Sequence, residues 1–359
     1  MTPDLSVQVA GVRLKNPIIC ASGEPTSTFA GIRAAIDAGA GAVIAKSTNE
    51  SAAAKRQLAS ARYALLNSAW REVPWAGADA DPASTSVFCR SGLAPEDFET
   101  WVAGLVELDR YAQTKQSIVI GSLIVSDADV AATLASAMQA AGLRMLEVNF
   151  SAPHGEEAAP GAIRLEREPD RIADLTRRIR QHIQIPLLIK LSGQTDDVLG
   201  EVGAAYEGGA DAVVLMGRHM GFLPDVTRRR PLLGTFAAIG GGWALPLTLR
   251  WVAKARARFG PSASLIATNG VRSGLDVARS LLAGASAVEV CSLVMQRGYG
   301  ALGHLADEMS AYLSEQGIAR ASDIIGEAAD GVQTYQQAAP PAENEVTWRS
   351  FVPADEPGT

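Results

Sequence analysis

Eight short apolar runs, separated by stretches with helical punctuation, constrain this chain more than any other feature of it. The runs are PIICAS (17–22), AVIAKS (42–47), SIVIGSL (117–123), MLEVNF (145–150), PLLIKLS (186–192), AVVLMG (212–217), SLIATNG (264–270) and AVEVCS (287–292). They are apolar on both faces, as strands buried between two layers are. Between them, TFAGIRAAIDAG (28–39) ends on Gly, and DADVAATLASAMQAAG (127–142) opens with Asp and closes with Gly. PDRIADLTRRIRQH (169–182) puts Pro in its first turn and basic residues at its end, and residues 245–260, 273–285 and 302–317 read alike. This alternation predicts an α/β fold, a (β/α)8 barrel. The competing open, doubly wound sheet needs a GxGxxG turn after its first strand, and ASGEPTST stands there instead.

Two connections are longer than a barrel needs. Residues 48–116 follow the second strand and hold a helical pattern near 96–115 after a part that reads as irregular. Residues 218–244 follow the sixth strand. Both leave the C-terminal ends of strands, where barrel enclosures and active sites are built. The expected organisation is a barrel over residues 1–330, with 48–95 as an active-site insertion and 331–359 as an extended Pro- and Glu-rich tail.

Composition narrows the classes. With 47% hydrophobic and 20% charged residues the chain can fill a core. No apolar run approaches the roughly 20 residues of a membrane span, and the first residues lack the pattern of a secretory leader. A net charge of -7 speaks against nucleic acid as the main partner. The three cysteines, Cys20, Cys89 and Cys291, form neither a disulfide framework nor a CxxC pair, and they are too few for a four-thiolate cluster. The expected setting is therefore the reducing cytoplasm, and no metal site is expected from the four scattered histidines.

The strand ends carry the chemistry. Lys46 and Lys190 each close an apolar strand, which is costly unless the ammonium meets an anion or a ligand. Asn149 ends the fourth strand. NGVRSG and CSLVMQRG after the seventh and eighth strands match the usual phosphate site of such barrels. A phosphate on one side, with lysines and an asparagine around a ring, points to flavin mononucleotide (FMN).

NPIICASG, AVIAKS, LEVNFSAPHG, PLLIKLS and ATNGVRSGLDVARSLLAGASAVEVCSLVM together resemble the dihydroorotate dehydrogenase family of FMN barrels over about residues 5 to 330. ASGEPTST, ALLNSAW and NFSAPHG are similar to segments of the flavin domain of dihydropyrimidine dehydrogenase. The resemblance implies that Ala21, Ser22, Gly23, Lys46, Ser47, Asn149 and Lys190 surround the flavin. It implies that Gly241, Asn269, Gly270, Val271, Arg272, Cys291 and Ser292 hold the cofactor on its phosphate side. Asn67, Asn149 and Arg218 are the expected substrate contacts.

The departures from the family pattern matter as much. A Cys or Ser three residues past the asparagine moves a proton in these enzymes, and here that residue is Ala152. The amide-gripping Asn-Thr or Asn-Ser after the sixth strand is replaced by Gly217-Arg218. Loss of a general acid or base typically costs about 10²–10⁴-fold in rate, so the expected substrate is not the standard pyrimidine. His154 and His219 are the histidines placed to take over proton transfer, with Cys89, Glu156 and Glu157 on neighbouring loops. Lys46, Asn149, His154 and His219 are thus the candidate catalytic residues. Trp70, Trp75 and Trp243 are candidates for an aromatic wall.

The expected function is FMN-dependent hydride transfer to or from a small cyclic or anionic substrate. An FMN-dependent oxygenase or oxidase and a non-catalytic flavoprotein subunit are the alternatives. Without an iron–sulfur cluster of its own the chain is expected to use a diffusible electron donor or an electron-transfer partner, and the resemblance implies a homodimer.

Overall fold

The computed structural model describes residues 2–150, 166–342 and 345–352. Eight parallel strands close on themselves: β1 (Ile18–Cys20), β2 (Ala42–Ile44), β3 (Val119–Ile124), β4 (Leu146–Asn149), β5 (Leu187–Lys190), β6 (Ala212–Leu215), β7 (Leu265–Thr268) and β8 (Ala287–Val290). They pair in chain order, and Val288 opposite Ile18 closes the ring. Every residue in them is buried except Asn149, which is half-buried at the mouth.

The ring of helices is α1 (Phe29–Asp37), α2 (Phe98–Thr114), α3 (Ala128–Ala141), α4 (Pro169–Arg180), α5 (Val198–Glu207), α6 (Leu245–Phe259), α7 (Gly274–Leu282) and α8 (Gly300–Glu315). Their starts are where side chains can satisfy first-turn N–H groups. Asp127 accepts from Asp129 and Val130, and Ser273 from Asp276. Gly142 ends α3 at φ 110°, a left-handed conformation suited to glycine. The sequence pattern did not anticipate α5: Gly200 and Gly203 dilute its apolar stripe.

The hairpin Val7–Val9/Val12–Leu14 contributes Val7, Val9 and Leu14 to the core, and its turn residue Ala10 donates its N–H to Ser264 just before β7. Beyond Gly331, nearly all described side chains are exposed.

The irregular reading of the first long connection needs correcting. Residues Arg62–Leu66, Glu72–Val73 and Ser86–Arg90 are strands. They join Ala237–Gly241 and His219–Gly221, from the connection after β6, in one five-stranded antiparallel sheet. Val87 lies opposite Gly240, and both line the cavity at the barrel mouth. The opposite face buries Ala64, Leu66, Phe88 and Ala237 against Leu233. Two separate insertions therefore build a single roof.

Candidate active site

A cavity lies beneath this roof and opens to solvent at the barrel mouth. Strand ends make its floor because parallel barrel strands all point their C-termini to one face. Ala21, Ser22, Asn149, Lys190, Arg218, Asn269, Gly270, Val271, Cys291 and Ser292 all line it. These residues come from six different strands or strand ends, and the fold brings them together.

Lys190 is buried at the floor, in direct contact with Glu289 and 3.5 Å from Glu147. Burial works against its charge, but the two carboxyl groups outweigh burial and hold its pKa above the ordinary lysine value. Neither glutamate was singled out from the sequence. The signal was present, since each is a lone acid inside an apolar run, MLEVNF and AVEVCS.

Lys46 is also buried, but it does not line the cavity. Its ammonium donates to Glu24 at 3.1 Å and to Ser91 at 2.9 Å. Glu24 also accepts from Tyr63 at 2.9 Å and from Ser91. Burial would raise the Glu24 carboxyl, yet Lys46, Arg218 and the Ser91 hydroxyl hold it well below the usual carboxylate range. Lys46 is thus one shell back, tied to an acid that the sequence reading did not single out.

On the expected phosphate side, two glycines have no room for a side chain. Gly270 has φ 108°, and a Cβ there would meet the Leu245 nitrogen at 2.5 Å. At Gly241 a Cβ would meet Ser86 Oγ at 2.7 Å. Asn269 also takes a positive φ of 75°. Its amide donates to Gly217 O at 3.4 Å. Arg272 faces elsewhere: its N–H is donated to Asp276 and its guanidinium to Ala83 O. Gly23, Ser47 and Gly241 flank the cavity without lining it.

The substrate side differs from expectation in two places. Asn67 spends its side-chain oxygen on the N–H groups of Ala69 and Arg71 at a hairpin tip, away from the cavity. The aromatic wall is not formed: Trp70 and Trp243 are 52% and 41% exposed, and Trp75 packs near Tyr63 and Met295 outside the cavity. Arg218 does enter the site, where its guanidinium rests against the Cys89 thiol. Burial raises the Cys89 pKa while Arg218 pulls it down, and burial pushes Cys291 up to about 11. At neutral pH both are thiols.

His219 sits beside the cavity, its ring 5.6 Å from Trp243. Its Nε2 is buried with no hydrogen-bond partner among the described residues, and burial lowers its pKa, so it is neutral at pH 7. Ala152, His154, Glu156 and Glu157 lie outside the described residues. Among the described residues, no group of three His, Cys, Asp or Glu side chains could hold a metal ion.

The donor set fits FMN. A buried ammonium lines the cavity, the same cavity is lined by a turn whose Gly270 has no room for a Cβ, and Glu289 Oε1 is a buried polar atom in the cavity wall with no hydrogen-bond partner among the described residues. A closed barrel with this mouth is the class of flavin-binding (β/α)8 oxidoreductases.

Comparison with known proteins is consistent with that class. The family model described as dihydroorotate dehydrogenase matches residues 82–313, and the chain belongs to this family. The chain is 30% identical to the catalytic subunit of dihydroorotate dehydrogenase B (NAD(+)) from Desulforudis audaxviator, over 90% of this chain and 97% of that one. It is 24% identical to the chloroplastic dihydropyrimidine dehydrogenase (NADP(+)) of Arabidopsis thaliana, over 90% of this chain and 76% of that protein. The fold matches the structure of dihydroorotate dehydrogenase from Eimeria tenella in complex with ferulenol, with a TM-score of 0.69, 16% identity, and coverage of 90% and 88% of the two chains. Members of this family are FMN-dependent oxidoreductases acting on CH–CH groups.

Proposed function

We propose that this chain oxidises or reduces a CH–CH bond in a small cyclic or anionic compound other than the standard dihydropyrimidines. The observation that carries the reading is Lys190, a buried ammonium in a cavity that the Gly270 turn also lines. Bound FMN would supply a ring that accepts or returns a hydride.

The chain's own residues do the rest. Gly270, Val271, Cys291 and Ser292 would hold the phosphate through backbone donors and the serine hydroxyl. Ala21, Ser22 and Asn149 would border the ring. Lys190 places positive charge where negative charge on the ring is favoured, which raises the reduction potential. Lys46 positions Glu24, and Glu24 with Cys89 neighbours Arg218. Arg218 would grip a carboxylate or similar anion bidentately. The roof sheet excludes water from the reacting groups.

Proton transfer is the step the family pattern leaves open. Ala152 has no titratable group. His219 is a neutral imidazole beside the cavity and can take a proton there; His154 is the other candidate.

Four curated relatives that match along nearly their whole length are named as catalytic subunits. A separate electron-carrying protein is therefore the partner we infer, together with a homodimer and a cytoplasmic location. Among the described residues, no helix is long and apolar enough to cross a membrane.

The test begins with the purified protein. FMN should be released on denaturation. Anaerobic reduction by NADH, NADPH and candidate dihydro-compounds, then reoxidation by air or by enones, separates a dehydrogenase from an oxidase. Ala152→Cys should raise dihydropyrimidine or dihydroorotate turnover by about 10²-fold or more. A protein without flavin would overturn the reading.

A further inference from the structure

Glu147 and Glu289 lie wholly inside the barrel with one cation between them. They are 0% and 2% exposed, and Lys190 contacts both. The remaining strands add no other charge. β2, β3, β6 and β7 carry no titratable residue, and the neighbouring thiols Cys20 and Cys291 are kept neutral by burial. Lys46, beyond β2, is matched by Glu24, and Arg218, the other cation lining this cavity, rests against Cys89 with Glu24 as its counter-charge. One ammonium thus faces two carboxyl groups where an unpaired charge is expensive. Two like acids sharing a site cannot both ionise readily.

A hydrogen-bonded row of hydroxyls links this pair to the cavity. Ser122 Oγ donates to Glu147 Oε1 at 3.2 Å and lies 2.9 Å from Ser47 Oγ, which lies 3.1 Å from Ser22 Oγ. Ser22 and Glu289 both line the cavity. Hydroxyls can donate and accept at once, so such a row can pass a proton.

We propose that the Glu147–Glu289 pair keeps one proton at neutral pH and couples a further proton uptake to reduction of the ring held above it. Hydride transfer brings the ring two electrons and one proton, leaving negative charge beside Lys190. Where the pair has been fully ionised, one solvent proton then moves onto it, restoring the charge balance around Lys190. The proton at rest belongs to the pair, with Glu289 its main holder. Burial pushes that carboxyl up to about 8, Lys190 pulls against the rise and Glu147 adds to it. The resting proton follows from two buried carboxyl groups sharing one ammonium; its coupling to reduction rests on the flavin function proposed above.

Two measurements separate these. Infrared spectra of the apoprotein carrying Glu201→Gln, from about pH 6 to about pH 10, should show a protonated-carboxyl band that fades near pH 8 and is missing once Glu289→Gln is added. In the flavin-loaded protein, the midpoint potential should fall by about 30 mV per pH unit near neutrality, the one-proton value for a two-electron couple. Above about pH 8 that slope should double in the native protein. Glu289→Gln and Glu147→Gln, each retaining one acid against Lys190, should match the native potential near pH 7 and keep the shallow slope throughout. Absence of the band, or equal slopes in all three proteins, overturns the proposal. A colourless protein that shows the band overturns the flavin function but supports the resting proton.

Discussion

Lys46 Nζ stands 3.1 Å from Glu24 Oε1, and the side chains are only 6% and 17% exposed. The pair joins the end of β2 to the turn after β1, and through Ser91 and Tyr63 it reaches both inner strands of the roof's first insertion. Glu24→Gln would leave a buried ammonium without its counter-charge. The expected cost is on the order of 3 kcal/mol, measured as a lower urea midpoint. Because the folded Glu24 pKa is depressed, its stabilisation is present above the ordinary glutamate range and is lost as pH falls through and below that range. The variant should therefore lose less stability on acidification than the native protein.

Gly270→Ala should break the phosphate cradle. The added Cβ would meet Leu245 N at 2.5 Å, at a φ of 108° that L-residues rarely adopt. Strain of about 1–3 kcal/mol is expected, together with loss of FMN from the purified protein. Retention of FMN at the native ratio would show that the phosphate lies elsewhere.

Glu201 on α5 is fully buried, with the Thr195 hydroxyl and the Arg167 guanidinium favouring its charged form less than burial opposes it. Burial pushes its pKa up to about 8. The folded state thus holds a proton that the unfolded state releases near the ordinary glutamate value. Stability must fall as pH rises from there to about 8. Glu289 acts in the same direction over the same window. Thermal unfolding at intervals between these pH values should show the decline, and Glu201→Gln should flatten it.

Arg218→Lys keeps a positive charge but loses the planar fork. If Arg218 grips the substrate's anionic group, KM should rise by about 10–100-fold, the worth of one or two charge-assisted hydrogen bonds. A fall in kcat at unchanged KM would place Arg218 outside substrate binding. Steady-state kinetics on any substrate found in the reductive screen decides this.

The barrel was readable because its strands are buried on both faces and hydrophobic periodicity is local. Lys190, Asn149 and the Gly270 turn were readable because each is a polar break at the end of such a run. The roof was not, since Ser86–Arg90 and Ala237–Gly241 pair across some 150 residues and nothing within either segment announces the partner. Glu147 and Glu289 were hidden for the opposite reason: each sits mid-strand in an otherwise apolar run, so the run's strand character masked the acid. Asn67 shows the limit of likeness. Its residue type matches the family, yet its oxygen is consumed by its own hairpin.

The ladder between Val87 and Gly240 has a consequence for access. Because the two insertions share backbone hydrogen bonds, neither can swing open alone without breaking that seam. Traffic into the cavity must either lift the whole plate or pass around its rim. A residue added within Ser86–Arg90 or Ala237–Gly241 would slip that strand by one position along the seam and turn its own side chains from one face of the roof to the other.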